Sequence, residues 1–109
     1  MKYGNRKSWA EGIEFDSKAE AKRFLQLRAK EQNGEISELR LQVKFQLTSG
    51  GRWRNGKTHR KTYYIADFVY LENGQTVVED VKGFRTAVYK LKRELMKEIY
   101  DIEIREVQA

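Results

Sequence analysis

The dipeptide Asn73-Gly74 is the strongest constraint on how this chain can fold. Both residue types tolerate the left-handed backbone of a two-residue type I′ turn, and such turns join antiparallel neighbours whose twist they match. The flanking segments suit a hairpin. Tyr63, Tyr64, Ile65, Ala66, Phe68, Val69 and Tyr70 precede the turn, and Val77, Val78 and Val81 follow it. The first run is apolar or aromatic on both faces and predicts a central strand. A two-residue loop sets Glu72 opposite Gln75, and a four-residue loop closed by Leu71 and Thr76 gives the same register. Counting outward along the two strands then sets Asp67 directly opposite Asp80.

That opposition is costly. Directly opposed side chains have Cβ atoms about 4.5–5.5 Å apart, and like charges there are destabilising. Aspartate is also a poor strand former. Two aspartates facing each other within apolar strands call for a cation, and hard oxygen ligands at that separation suit Mg²⁺ or Mn²⁺. Lys82 lies two residues beyond Asp80 and projects from the same face. A lysine there can orient a water and stabilise charge developing on a phosphate. Glu79 points to the other face, opposite Phe68, so Asp80 is the preferred ligand. The plainer alternative is a cross-strand Asp–Lys ion-pair network on an exposed sheet face, worth little to stability. The apolar neighbours argue against full exposure.

Other segments supply the frame. Ser17-Lys18-Ala19-Glu20 has the spacing of a capping box and predicts a helix from about Lys18 to Gln32, stopped by Asn33-Gly34. One stripe of that helix runs through Ala21, Phe24, Leu25 and Arg28; an overlapping one runs through Glu20, Phe24 and Leu27. Glu20 therefore reads either as part of the helix cap or as a third acidic ligand facing the body. Leu39, Leu41, Val43, Phe45 and Leu47 alternate with Arg40, Gln42, Lys44 and Gln46, which predicts a half-buried strand with Gln42 on its polar face. Ser49-Gly50-Gly51 and Asn55-Gly56 mark an exposed basic loop. Thr86 is placed to cap a second helix reaching about Tyr100, with Val88, Leu91, Leu95 and Ile99 as its core stripe. Ile102, Ile104 and Val107 suggest a last strand, joined by a right-handed crossover. The expected fold is thus α/β: an α-β-β-β-α-β order with a central mixed sheet flanked by helices. It occupies 17–109 as a single domain, after a basic N-terminal arm and lead-in over 1–16.

Composition bounds the partners. A chain of 109 residues has room for one domain. It carries 22 Lys+Arg against 16 Asp+Glu, and none of the acids falls between Leu39 and Ala66. That stretch holds Arg40, Lys44, Arg52, Arg54, Lys57, Arg60 and Lys61. A second basic cluster runs through Lys82, Arg85, Lys90, Lys92, Arg93 and Lys97, and the N-terminus adds Lys2, Arg6 and Lys7. Such runs are either a solvated surface or a phosphate-contacting face. Trp53 and His59 favour the second, because rings among cations can stack on bases. The candidate DNA-contacting set is Lys2, Arg6, Lys7, Lys44, Arg52, Trp53, Arg54, Lys57, Arg60, Lys61, Arg85 and Lys90. The absence of cysteine excludes disulfides, thiolate zinc sites and a cysteine nucleophile. A single histidine cannot build a multi-histidine metal site. No apolar run approaches the roughly 18 residues of a membrane span, and no apolar segment follows the basic N-terminus as in a secretory signal. The expectation is a soluble domain of a reducing compartment.

Asp67, then Asp80-Val81-Lys82 after a short hairpin, with Glu20 on a preceding helix, resembles the PD-(D/E)XK nuclease superfamily. The resemblance covers Ser17 to about Val107, and the element order agrees with that superfamily's restriction-endonuclease-like core. Lys2-Tyr3-Gly4-Asn5, Phe15-Asp16-Ser17-Lys18, Leu41-Gln42-Val43-Lys44-Phe45, Tyr64-Ile65-Ala66-Asp67-Phe68 and Val78-Glu79-Asp80-Val81-Lys82-Gly83 look like a family of small phage-encoded proteins carried as a domain of unknown function. The order helix-Glu, Gln, Asp, Asp-x-Lys is also similar to the endonuclease subunit of some bacterial transposases and to archaeal-type Holliday-junction resolvases.

The resemblance implies a Mg²⁺- or Mn²⁺-dependent endodeoxyribonuclease. Asp67 and Asp80 would bind metal, Lys82 would position the water, Glu20 would complete the acidic cluster, and Gln42 would sit near the site. It also implies action on branched recombination or replication intermediates, a homodimer for two symmetric cuts, and a phage or prophage product in the bacterial cytoplasm. The superfamily's namesake proline is Ala66 here. Two further readings compete with it: a non-catalytic DNA-binding accessory protein on a nuclease-like scaffold, and a nuclease directed at RNA, since phosphate contacts do not read the sugar.

Overall fold

The computed structural model describes residues 7–109. Its first element is a small hairpin of β1 (Ser8–Ala10) and β2 (Ile13–Phe15). Glu11 and Gly12 turn it with φ of 50° and 78°. The lead-in expected before Ser17 is therefore structured from Ser8 onward. Its Ala10 and Phe15 are buried, and Phe15 packs on Phe24 with ring centroids 5.1 Å apart.

Helix α1 spans Lys18–Gln32, capped by Ser17, whose hydroxyl accepts from the Glu20 N–H at 3.2 Å. Glu20, Ala21, Phe24 and Leu27 are buried while Leu25 is exposed, so the stripe containing Glu20 is the one turned inward. Four strands form the main sheet: β3 (Ser37–Thr48), β6 (Thr62–Glu72), β7 (Gln75–Lys82) and β8 (Arg105–Gln108), in spatial order β3-β6-β7-β8. The first three pair antiparallel, and β7 pairs parallel with β8. Between β3 and β6 the chain forms a second small hairpin, β4 (Gly51–Arg52) with β5 (Thr58–His59), where a loop was expected. Helix α2 (Ala87–Tyr100), capped by Thr86, links β7 to β8. This is the mixed α/β sheet with two helices that the sequence implies.

The Asn73-Gly74 turn has φ of 52° and 76° and sets the expected register, from Glu72 opposite Gln75 to Phe68 opposite Glu79. Three expectations are corrected. Val88, Leu91 and Ile99 of α2 are exposed and Leu95 is half-buried; Tyr89 and Met96 are the buried residues. The periodicity finds the apolar stripe, but polar anchors choose the buried face. Tyr89 and Arg93 both donate to Glu106 on β8, and Met96 fills the core between them and Ile104. The last strand is Arg105–Gln108, whereas Ile102 and Ile104 pack in the connection before it.

The third correction concerns β3, which does not keep one apolar face. Leu39 and Leu41 pack against the cluster built around Phe15, Phe24, Leu27, Phe68 and Tyr70. Val43, Phe45 and Leu47 join the other, around Tyr64, Ala66, Tyr89 and Met96. On β6 the same exchange falls between Ala66 and Phe68. Gln42, between Leu41 and Val43, has φ of 53°, a left-handed conformation that rotates the strand.

Candidate active site

The exchange of faces positions the site. Leu41 pairs with Phe68 and Val43 with Ala66, so Gln42 and Asp67 fall opposite each other at the switch. Gln42 Nε2 reaches Asp67 Oδ1 at 3.4 Å, and Asp67 Oδ2 accepts from the Val81 N–H at 2.9 Å. That second bond crosses to β7 and holds Asp67 beside Asp80. A left-handed non-glycine residue inside a strand is strained, and such strain collects at functional sites.

Asp80 is 3% exposed. Tyr64 donates to its Oδ2 at 2.9 Å, and Lys82 Nζ lies 3.2 Å from the same oxygen. Burial pushes the Asp80 carboxyl up to about 7; hydrogen bonding to Asp67 and its charge push the same way, against Lys82 and Tyr64. Two adjacent carboxylates out of water resist double ionisation. The Tyr64 hydroxyl is driven above its usual range by burial and by Asp80. This is not the exposed ion-pair network that the sequence left open.

Lys82 is held on its other side by an aromatic ring. Its ammonium lies 4.2 Å from the centroid of Tyr89, whose hydroxyl donates to Glu106 Oε2 at 2.6 Å. Arg85 and Arg93 also bind Glu106, at 2.7 and 2.8 Å. Burial opposes ionisation of Glu106, but the bonds from Tyr89, Arg85 and Arg93 prevail and hold its carboxyl down to about 2. Sequence reasoning missed Tyr64, Tyr89 and Glu106. Tyr64 reads in the sequence only as a strand aromatic, and no local signal marks any of the three as a site residue.

Glu79 points away from this site. It is fully buried, takes a bidentate pair from Arg23 at 2.8 and 2.7 Å, and accepts from Tyr70. Its distinction from Asp80 therefore follows the strand alternation. Glu20 is buried on α1. Among the described residues no group of three or more His, Asp or Glu is arranged to hold a metal ion. The donor set in place is two carboxylates. That suits Mg²⁺, which commonly takes one or two protein carboxylates and completes its shell with water and substrate phosphate.

Of the candidate DNA contacts, Lys7, Lys44, Arg52, Trp53, Arg54, Lys57, Arg60, Lys61 and Lys90 are exposed. Arg85 is engaged by Glu106, and Lys44 sits 5.7 Å from the Tyr63 ring centroid. Lys2 and Arg6 lie outside the described residues. No described helix is long and apolar enough to cross a membrane. A family model described as "Protein of unknown function (DUF1064)" matches residues 1–108. No curated protein matches the chain.

Proposed function

The chain belongs to the DUF1064 family, and from its own residues we propose that it is a metal-dependent endodeoxyribonuclease of the PD-(D/E)XK type, with a restriction-endonuclease-like core, acting on branched DNA. The observation that carries this reading is Asp80, 3% exposed and set against Asp67 with Lys82 3.2 Å away. Burying one carboxylate beside another is unfavourable, and a divalent cation would relieve it. Such a cation, Mg²⁺ or Mn²⁺, supplies Lewis acidity at the phosphate. Asp67 and Asp80 would hold it. Gln42 and the Val81 N–H fix the Asp67 carboxylate, and Tyr64 fixes that of Asp80. Lys82, braced by the Tyr89 ring, would orient the attacking water and stabilise charge growing on the scissile phosphate. Glu20, buried on α1, would complete the acidic cluster.

The basic surface from Lys44 to Lys61 supplies phosphate contacts, with Lys7, Lys90, Arg85 and the N-terminal Lys2 and Arg6 as further members of that set. Two symmetric cuts at a junction require two copies about a two-fold axis. The outward face of α2, carrying Val88, Leu91 and Ile99, is the apolar surface from which a homodimer would be built, with the exposed Phe84 in the segment before the helix. A phage or prophage product in the bacterial cytoplasm accords with this reading.

One gel tests the proposal: labelled four-way junction, flap, linear duplex and single strand, each with and without Mg²⁺. Mg²⁺-dependent cuts in a branched substrate are expected. Tight binding with no cut under either condition would instead identify a DNA-binding accessory protein, whose paired aspartates are neutralised by a proton.

A further inference from the structure

We propose that the β4–β5 hairpin is a rigid wedge that reads a DNA branch point by stacking Trp53 on an unpaired base. This rests on the nuclease reading above for the role of Asp67 and Asp80, but not for the binding itself. The whole hairpin tip, residues 51–58, is exposed, and Trp53 belongs to neither core cluster. An indole held in water is unfavourable for the free protein, whose own core makes no use of it. Its backbone is nevertheless pinned. Gly51 pairs with His59 and Arg52 with Thr58; the Trp53 N–H donates to the Lys57 carbonyl at 2.8 Å. The Asn55 side chain accepts from the Lys57 N–H at 3.0 Å, and the Gly56 N–H donates to the Trp53 carbonyl at 3.0 Å.

His59 fixes the indole from one side, with ring centroids 4.0 Å apart and planes inclined by 31°. Gly51 leaves room for that ring; a Cβ there would sit 3.2 Å from His59 Nε2, so the ring would have to shift by a few tenths of an ångström. One indole face is thus occupied while the residue as a whole stays 58% exposed. Arg52, Arg54, Lys57, Arg60 and Lys61 flank it along the chain, with no acid in the segment, and all five are exposed. Exposed cations on both sequence sides of one rigid ring suit a point where paired bases give way to unpaired ones. A stacked duplex offers that ring no free base face.

The hairpin is also tied to the site by covalent geometry. His59 leads into β6, which carries Asp67. At about 3.3 Å per residue, the chain from His59 to Asp67 spans at most about 26 Å. With about 3.4 Å per base step along a strand, that backbone span corresponds to about eight base steps, so cuts are expected on the order of ten base pairs from the branch once the side chains at each end are added.

The test uses a fork with 2-aminopurine at the branch and a blunt duplex of the same sequence. Binding is measured in EDTA and cleavage is mapped in Mg²⁺. Wild type should quench the 2-aminopurine. Trp53→Ala should abolish the quench and weaken fork binding on the order of ten-fold, leaving duplex binding within about two-fold. Trp53→Phe should restore most of both. Equal weakening on fork and duplex, or an unchanged quench in Trp53→Ala, would overturn the wedge. An equal quench on an RNA fork would overturn its assignment to DNA. Quenching without any cut leaves the wedge standing and sinks the nuclease reading. Cuts that keep their branch preference in Trp53→Ala do the reverse.

Discussion

Gln42 stands opposite Asp67 at the point where both of their strands exchange one core for the other. Its backbone is left-handed, and its side chain reaches the Asp67 carboxylate. A regular strand would have kept Val43, Phe45 and Leu47 on the side of Leu41.

This relationship predicts a trade between stability and function. Glycine adopts a φ of 53° without the Cβ clash. Gln42→Gly should therefore keep or raise thermal stability, by up to about 1 kcal/mol, while slowing cleavage because Asp67 loses its side-chain partner. Calorimetry beside single-turnover cleavage checks this. A marked fall in melting temperature would show that the left-handed turn is not strained.

The acidic pair predicts a pH dependence in metal-free protein. The Asp80 carboxyl is pushed up to about 7 in the fold, from an ordinary value near 3.8. Below about pH 4 folded and unfolded chains both hold the proton. Between about pH 4 and 7 the unfolded chain releases it and the native chain keeps it, so the unfolded state binds fewer protons and stability falls as pH rises. Above about 7 this contribution is gone. Denaturant titrations in EDTA should show that decline, and Asp80→Asn should remove it. Mg²⁺ should stabilise wild type more at pH 8 than at pH 5.

The outward stripe of α2 predicts self-association. Leu91→Glu should shift sedimentation toward the monomer with little loss of stability, because Leu91 is 57% exposed. Paired cuts at a junction should become unpaired nicks. A wild-type protein that sediments as a monomer at all accessible concentrations would remove the dimer from the account.

How much of this was legible depended on whether the deciding interaction was local. The Asn73-Gly74 turn is local, and it carried the register as far as Phe68 opposite Glu79, the pair next to Asp67 and Asp80, without knowledge of the rest. The Ser17 cap and the extent of α1 were legible for the same reason. The buried face of α2 was not, because Tyr89 and Arg93 answer to Glu106, far along the chain. Tyr64 was visible as a strand aromatic, but its hydroxyl bond to Asp80 depends on the crossing of two strands. The change of face at Gln42 breaks an alternation that was perfect in sequence. Periodicity counts residues and cannot see a backbone that turns left-handed between two of them. Whether Glu20 would complete the acidic cluster was left open by its place in a capping box. The fold buries it on α1, with its backbone N–H held by the Ser17 hydroxyl.

The central claim is that Asp67 and Asp80 hold the metal for strand cleavage. Its most direct test is one comparison on a branched substrate: cleavage and binding by wild type and by Asp80→Asn, in Mg²⁺. The account predicts that the variant binds the branch as wild type does and cuts it roughly a hundred- to a thousand-fold more slowly, as expected when an essential electrostatic group is lost. Cleavage by Asp80→Asn at the wild-type rate would contradict it.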